Sequence, residues 1–243
     1  MSRSSSSKKP TAPSAHVYLP VKQLLDKLNL STVNDALYLE ALTHRSSGSP
    51  HYERLEFLGD SCLNFVIATD LFERYPDEDE GALSRLRASL VRESTLADIA
   101  LELGLGDYIR LGSGELKSGG FNRASILADV VESLIGATFL DAGYDATRKL
   151  VLQLYGDRVA VLPPSAELKD PKTRLQEHLQ GRGLSRPEYT VTETTGKSHE
   201  LKFTVRCDIP SHHVSVVATD TSRRKAEQVA AADILANIET LLP

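Results

Sequence analysis

The chain has 243 residues, of which 41% are hydrophobic and 25% charged, a composition that predicts an ordinary globular protein of one large or two modest domains. The formal net charge of −5 argues only weakly against a nucleic-acid partner, because the ten basic and ten acidic residues from Asp170 onward balance and all the excess acid precedes them. Two cysteines exclude a disulfide scaffold, and the lack of any apolar run of ~20 residues excludes a membrane-spanning helix.

The first fifteen residues are rich in serine and proline and predict a disordered tail. Positive charge without an apolar stretch behind it does not fit a secretory signal. A nonspecific contact with RNA through Arg3, Lys8 and Lys9 is the alternative role for this tail. We expect Cys62 and Cys207 to be buried free thiols, which predicts a cytoplasmic protein.

Two short helices are predicted next, one beginning after Pro20 and one over about 33–43. His44 follows the second helix. A single histidine beside a helix end is usually structural, so we leave His44 out of any metal site.

The segment 53–71, ERLEFLGDSCLNFVIATDL, has the length and apolar spacing of a buried helix. Glu53, Glu56 and Asp60 nevertheless stand at i, i+3 and i+7, on one face of that helix. Carboxylates in an apolar helix are costly unless a cation neutralises them. This pattern favours a site over a solvated acidic face.

A second apolar segment, SILADVVESLIGATFLDAG, repeats this arrangement with Asp129 and Glu132 at i and i+3. Two buried helices, each with an acidic pair on one face, can bring four carboxylates to one point. Oxygen-only ligands of that charge suit Mg²⁺ or Mn²⁺. On spacing alone, the alternative is that each acidic pair lies on a solvent-exposed helix face.

The glycine-rich segment LGSGELKSGG, residues 111–120, does not fit a phosphate-binding loop, because Leu116 stands where the Walker pattern needs a glycine before Lys117. It predicts a flexible loop leading into the Asp129 helix. That helix is predicted to extend to about Leu140, and a last helix to span about 146–155.

Five motifs together resemble the ribonuclease III family. They are ALTHRS (41–46), ERLEFLGDS (53–61), DEGALSRLRASLV (79–91), LGSGELKSGG (111–120) and SILADVVESLIGATFLDAGY, which ends at Tyr144; the resemblance covers nearly all of 35–160. It implies an all-α endonuclease domain that hydrolyses double-stranded RNA with Mg²⁺, for which Mn²⁺ can substitute, without a small-molecule cofactor. It also implies a homodimer that leaves 5′-phosphates, 3′-hydroxyls and short 3′ overhangs, and that processes ribosomal RNA precursors and other structured RNAs.

The resemblance carries over to particular residues of this chain. It implies Glu56, Asp129 and Glu132 as metal ligands, Asp60 and Glu132 as catalytic residues, and Glu53 and Glu80 as a second tier of acids. Candidates for the dimer contact are Cys62, Leu63, Phe65 and Val66, although burial within one subunit explains them equally. One departure is Tyr52, where the family commonly has asparagine, which puts in doubt any polar contact made at that position.

The C-terminal part changes to α-β-β-β-α order, with alternating strands and a last helix capped by Ser222. It resembles a double-stranded-RNA-binding domain, whose end motifs are DPKTRLQEHLQ and TSRRKAEQVAA. The predicted division is therefore a tail (1–15), a ribonuclease III catalytic domain (16–158), a linker (159–168) and an α+β RNA-binding domain (169–240).

Duplex RNA is recognised by its shape, its phosphates and its 2′-hydroxyls. Arg223 and Arg224 at a helix start suit phosphates, although a solvated basic turn is the alternative. The resemblance implies the RNA contacts Gln176, Glu177, His199, Ser222, Arg223 and Arg224. Asp220 departs from the family's usual glycine.

Two other function classes fit parts of the sequence. A relative that binds RNA but has lost catalysis would need a broken acidic set, whereas all four acidic positions are intact. A metal phosphohydrolase acting on nucleotides would have no use for a duplex-binding domain. The sequence does not identify the natural RNA or its cleavage positions.

Overall fold

The computed structural model describes residues 18–31, 33–197 and 200–241. The chain divides into two compact units. The boundary between Val161 and Leu162 falls inside the predicted linker. The first, here called the helical unit, contains the described residues up to Pro76 and Arg87–Val161. The second, here called the mixed unit, contains Asp77–Leu86 and the described residues from Leu162 onward. The exact domain limits stay a prediction.

The all-α prediction for the first domain is confirmed. The described chain before Leu162 contains α1 (Val21–Lys27), α2 (Asp35–Ala41), α3 (Glu53–Arg74), α4 (Glu80–Val91), α5 (Glu93–Leu103), α6 (Ser113–Lys117) and α7 (Ala124–Tyr155). Helix α5 ends at Gly104, whose positive φ of 65° suits glycine at a helix C-terminus. Its apolar face is buried, as its sequence pattern requires.

Helix α7 is the centre of the helical unit and packs against α3, α5 and α2. Its residues Val130, Val131 and Ile135 are fully buried. Gly143 interrupts α7 with φ 78° and ψ −170°, which are not helical values. The two shorter helices predicted from the sequence therefore correspond to the two parts of α7.

The prediction of a flexible loop at 111–120 is wrong in part, because this segment contains α6 and leads into a 3-10 turn at Gly120–Asn122. Two of its glycines, Gly112 and Gly120, permit close packing. A Cβ on Gly112 would lie 2.1 Å from the Ser46 carbonyl oxygen. Glu115 and Arg123 also form an ion pair across the segment at 2.8 Å.

The mixed unit confirms the α-β-β-β-α prediction. From Leu162 onward its described elements are α8 (Pro171–Gly181), β1 (Glu188–Thr195), β2 (Lys202–Ile209), β3 (Val214–Asp220), α9 (Arg223–Ala236) and α10 (Ile238–Leu241). The strands form an antiparallel sheet in the order β1-β2-β3, with an irregularity between Val191 and Glu193.

Helix α9 packs against α8, β2 and β3, and a buried apolar core lies among these elements. Leu175 and Leu179 contribute to the core from α8, and Ala230 and Ile234 contribute from α9. Ser222 caps α9 by accepting a hydrogen bond from the Lys225 backbone N–H at 3.2 Å, as predicted.

No helix in the described ranges is both long enough and apolar enough to cross a membrane. Both cysteines are free thiols, Cys207 buried and Cys62 half-buried. The predictions for the tail (1–15), including Arg3, Lys8 and Lys9, and for His199 lie outside the described residues.

Candidate metal centre and nucleic-acid interface

The structure brings Glu56 of α3 together with Asp129 and Glu132 of α7. One carboxylate oxygen from each lies within 4.8 Å of the others, and all three side chains are half-buried. We call these three residues the acidic cluster. They are three of the residues to which the sequence resemblance assigned the metal and the chemistry.

Two glycines allow the two helices to come this close. A Cβ on Gly59 would lie 1.8 Å from the Glu132 carbonyl oxygen, and one on Gly136 would lie 2.2 Å from the Leu55 carbonyl oxygen. The helix backbones are therefore nearly in contact at this crossing. The acidic cluster lies within one helical turn of it.

Burial and mutual repulsion strongly favour protonation of the acidic cluster. Burial, followed by the charges of Asp129, Glu53 and Asp60, raises the pKa of Glu56 to about 7. Burial, followed by the charges of Asp60, Glu56 and Asp129, raises the pKa of Glu132 to about 8. Burial also raises the pKa of Asp129. A bound cation would relieve this cost, so the chemistry of the donor set fits a hard divalent metal.

Asp60 is exposed and lies one turn beyond Glu56 on α3. Its carboxylate accepts a hydrogen bond from Asn64 Nδ2 at 2.8 Å. Because its charge contributes to the raised pKa values of both Glu56 and Glu132, it lies within electrostatic range of the acidic cluster.

The two second-tier acids have surface partners in the structure. Glu53 pairs with Arg45 at 3.2 Å and lies 3.8 Å from a ring nitrogen of His51. Glu80 is exposed at the start of α4 and accepts a hydrogen bond from Ser84 Oγ at 2.8 Å. Their roles stay predictions.

The structure adds Tyr52 to this site. The Tyr52 hydroxyl donates a hydrogen bond to Asp129 Oδ2 at 3.1 Å, and its side chain is buried. Burial and the neighbouring Asp129 carboxylate raise the pKa of Tyr52, so its phenol remains the proton donor. The sequence had left any polar contact at this position in doubt.

A cleft of about 670 Å³ opens beside Glu56 and Asp129. Its walls include two cations, Arg45 and Arg123, and the carboxylate of Glu115. The sequence motifs contained these residues, but nothing in their spacing indicated that segments 41–46 and 111–123 meet at the acidic cluster.

His44 has the structural environment that was expected of it. Its Nδ1 accepts a hydrogen bond from the Ser46 backbone N–H at 3.1 Å, and Ser46 Oγ accepts one from the Gly112 N–H at 2.9 Å. The His44 ring packs against Tyr52 with a centroid distance of 5.7 Å. This network joins segment 41–46 to segment 111–120.

The candidate nucleic-acid interface lies in the mixed unit, at the adjacent starts of α8 and α9. Gln228 of α9 donates a hydrogen bond at 2.8 Å to Asp170, which is the N-cap residue of α8. Ser222 caps α9, and the exposed Arg223 and Arg224 follow it in the first turn of the helix. A helix N-terminus with exposed cations suits phosphate groups.

Acidic neighbours partly neutralise this interface. Arg223 pairs with Glu227 at 2.8 Å, and the same carboxylate accepts a hydrogen bond from Lys172 at 2.6 Å. On α8, Glu177 pairs with Lys169 at 2.6 Å, and Gln176 is half-buried. The Asp220 carboxylate accepts a hydrogen bond from its neighbour Thr221 at 2.5 Å.

Two family models match the chain. Residues 34–158 match the model described as Ribonuclease-III-like, and residues 171–238 match the double-stranded RNA binding motif. The nuclease domain of ribonuclease III from Campylobacter jejuni has a similar structure, with a TM-score of 0.56 and 38% sequence identity, over 59% of this chain and 100% of that chain. That structure has been described as flexible in a region involved in dimer formation.

Proteins named Ribonuclease 3 are similar over most of their length. The protein from Vibrio vulnificus strain YJ016 is 54% identical over 212 residues, which cover 87% of this chain and 94% of the relative. That from Proteus mirabilis strain HI4320 is 52% identical over 221 residues, covering 91% and 98%. That from Bordetella pertussis strain Tohama I is 56% identical over 208 residues, covering 86% and 81%.

Proposed function

The chain belongs to the ribonuclease III family and is a double-stranded-RNA endoribonuclease, and we propose that it hydrolyses RNA at a Mg²⁺ site formed by Glu56, Asp129 and Glu132. The observation that carries this assignment is the convergence of these three carboxylates within 4.8 Å. An inactive RNA-binding relative is the weaker candidate, since the acidic residues are present and three of them lie close together.

In the proposed reaction, water attacks a backbone phosphorus atom and the bond to the 3′-oxygen breaks. The products carry a 5′-phosphate and a 3′-hydroxyl, and the leaving oxygen takes up a proton. Glu56, Asp129 and Glu132 would hold the metal, and Asp60 would complete the acidic site. Bound Mg²⁺ would supply Lewis-acid stabilisation of the charge that develops on the phosphodiester and would lower the pKa of water.

We assign RNA binding outside the acidic cluster to the first turn of α9, to α8 and to His199. Ser222 and the exposed arginines Arg223 and Arg224 would contact phosphates, and Gln176, Glu177 and His199 would contact the flanking minor grooves. The substrates would be ribosomal RNA precursors and other structured RNAs, including messenger and transfer RNA precursors. A cytoplasmic location stays a prediction.

We also propose a homodimer formed through α3. Phe57, Phe65 and Phe72 are exposed by 78%, 58% and 72%, which is unusual for three phenylalanines of one helix. Beside Phe57 lies a depression of about 660 Å³ with Leu37, Leu58 and Leu140 in its walls. A two-fold interface can place such a side chain of each subunit against the same surface of the other.

The exposure of α3 distinguishes among the dimer-contact candidates from the sequence. Leu63 and Val66 are fully buried inside the helical unit, so packing within the subunit explains them. Phe65 stays a candidate, and Cys62 is half-buried. Phe57 was not among those candidates, although its exposure is the largest of the three phenylalanines.

The metal assignment is tested with the full chain after chelation and dialysis. We expect Mg²⁺ and Mn²⁺ to restore cleavage of a duplex RNA and not of its separated strands, because carboxylate oxygens favour hard ions. Gel analysis of end-labelled RNA measures both. Activity restored by Zn²⁺ but not by Mg²⁺ or Mn²⁺ would contradict the assignment.

A further inference from the structure

Tyr52 connects the two helices that carry the acidic cluster. It directly precedes α3, and its carbonyl oxygen accepts a hydrogen bond from the backbone N–H of Glu56 at 2.9 Å. Its hydroxyl reaches across to Asp129 of α7, 77 positions further along the chain. One residue therefore contacts a carboxylate residue on each helix.

Several contacts hold the Tyr52 side chain in place. Its backbone N–H donates to the Thr43 carbonyl oxygen at 3.0 Å, and its ring packs against His44. The Tyr52 residue is only 3% exposed. A hydroxyl held in this way restricts the rotation of the carboxylate that accepts its hydrogen bond.

Neighbouring carboxylates repel the Asp129 carboxylate, so an additional contact is required to hold it in one orientation. Its carboxylate is half-buried, and one of its oxygens lies within 4.8 Å of a carboxylate oxygen of Glu56 and of one of Glu132. The hydrogen bond from Tyr52 favours the charged form of Asp129. It also engages Oδ2, which leaves Oδ1 without this contact.

We propose that Tyr52 is a positioning residue of the metal centre: its hydroxyl holds the Asp129 carboxylate in the orientation in which it shares a cation with Glu56 and Glu132. This inference rests on the proposed function. Partners that orient a metal-ligating side chain typically change metal affinity by about 10–100-fold when they are removed.

The test is Tyr52→Phe in the full chain, with Tyr38→Phe as its matched control. Tyr38 is as deeply buried, at 1%, and its hydroxyl lies 3.4 Å from Thr138 and from Asp141, away from the acidic cluster. Each substitution removes one buried hydroxyl and keeps the ring. The comparison therefore separates loss of a buried hydroxyl from loss of the Asp129 contact.

Metal affinity is measured without RNA, by titrating Mn²⁺ and following the free ion by electron paramagnetic resonance. We expect the Kd for Mn²⁺ to rise about tenfold in Tyr52→Phe and by less than about twofold in Tyr38→Phe. Cleavage by Tyr52→Phe should need correspondingly more Mg²⁺, while the rate at saturating Mg²⁺ approaches that of the wild type.

An unchanged Mn²⁺ affinity in Tyr52→Phe, with a wild type that binds Mn²⁺ and cuts duplex RNA, would overturn this inference alone. Equal losses in both variants would overturn it as well. A wild type that neither binds Mn²⁺ nor cuts duplex RNA would overturn the proposed function and this inference together. Tyr52→Met, which also lacks a donor but adapts to the space, should show the same rise in Kd if Tyr52→Phe does not fold.

Discussion

At the scale of single residues, the sequence predicted the acidic residues of the candidate metal centre but not the contact that Tyr52 makes with one of them. The i, i+3 spacings placed Glu56, Asp129 and Glu132 on apolar helices, where an unneutralised carboxylate is costly. Tyr52 had been noted only as a departure from a family pattern. Its contact with Asp129 depends on how two distant segments fold together, and no local pattern encodes that.

The raised pKa values make the stability of the metal-free protein depend on pH. Burial and neighbouring charges raise the pKa of Glu56 to about 7 and of Glu132 to about 8, above the ordinary value of 4.5. The folded state therefore binds more protons than the unfolded state between these values. It follows that the free energy of unfolding falls as pH rises from about 4.5 to about 8.

Glu132→Gln should consequently stabilise the metal-free protein at pH 8 and have little effect at pH 5, where Glu132 is already protonated. Because the side chain is only half-buried, we expect a gain of about 1–2 kcal/mol at pH 8. Urea unfolding in the presence of a chelator measures it at both pH values. A gain of equal size at pH 5 and pH 8 would show that repulsion in the acidic cluster is not its source.

At the scale of elements, the site depends on how closely α3 and α7 approach. The sequence predicted both helices, and α3 extends beyond the segment 53–71 to Arg74. It did not indicate that Gly59 and Gly136 form the crossing, because a glycine inside a helix is ordinarily expected only to destabilise that helix. Likewise, the glycine-rich segment 111–120 suggested a flexible loop, whereas Gly112 and Gly120 permit close backbone contacts.

Gly59→Ala should separate the two helices, because the new methyl group would lie 1.8 Å from the Glu132 carbonyl oxygen. We expect a loss of about 3 kcal/mol or more in the free energy of unfolding, together with weaker metal binding. Chemical denaturation and Mn²⁺ titration measure these two quantities.

The matched control for Gly59→Ala is Gly114→Ala in α6, where a Cβ would have no neighbour within 4 Å. This substitution should change the stability by no more than about 1 kcal/mol, and in the stabilising direction. Similar losses for both variants would mean that the crossing at Gly59 is not the cause.

At the scale of the whole molecule, the two units carry different chemistry. The acidic cluster lies in the helical unit, whereas Arg223 and Arg224 lie in the mixed unit. The sequence predicted this organisation from the change to alternating strands. It also did so from the balanced charge from Asp170 onward, in contrast to the acidic part before it. The Arg223–Glu227 pair has the i, i+4 spacing of a helical ion pair, whereas the second partner of Glu227, Lys172, comes from α8 and was not predictable from local spacing.

Removing residues 165–243 should weaken RNA binding far more than the chemical step. The truncated protein lacks Arg223 and Arg224, for which we propose phosphate contacts, so we expect it to cut duplex RNA only at low salt and high Mg²⁺. Single-turnover cleavage of both proteins across a salt series measures this. A truncated protein that is folded and dimeric but inert at every salt concentration would mean that the removed residues contribute to the active site itself.

The most direct test of the account is to measure binding and cleavage separately in Glu132→Ala. Duplex binding is followed by gel shift in Ca²⁺ and cleavage in Mg²⁺, with Glu102→Ala as a control that removes an exposed glutamate on α5. We predict near-wild-type binding by both variants, normal cleavage by Glu102→Ala, and cleavage by Glu132→Ala reduced at least about 100-fold. Near-wild-type cleavage by Glu132→Ala would contradict the assignment of the metal centre.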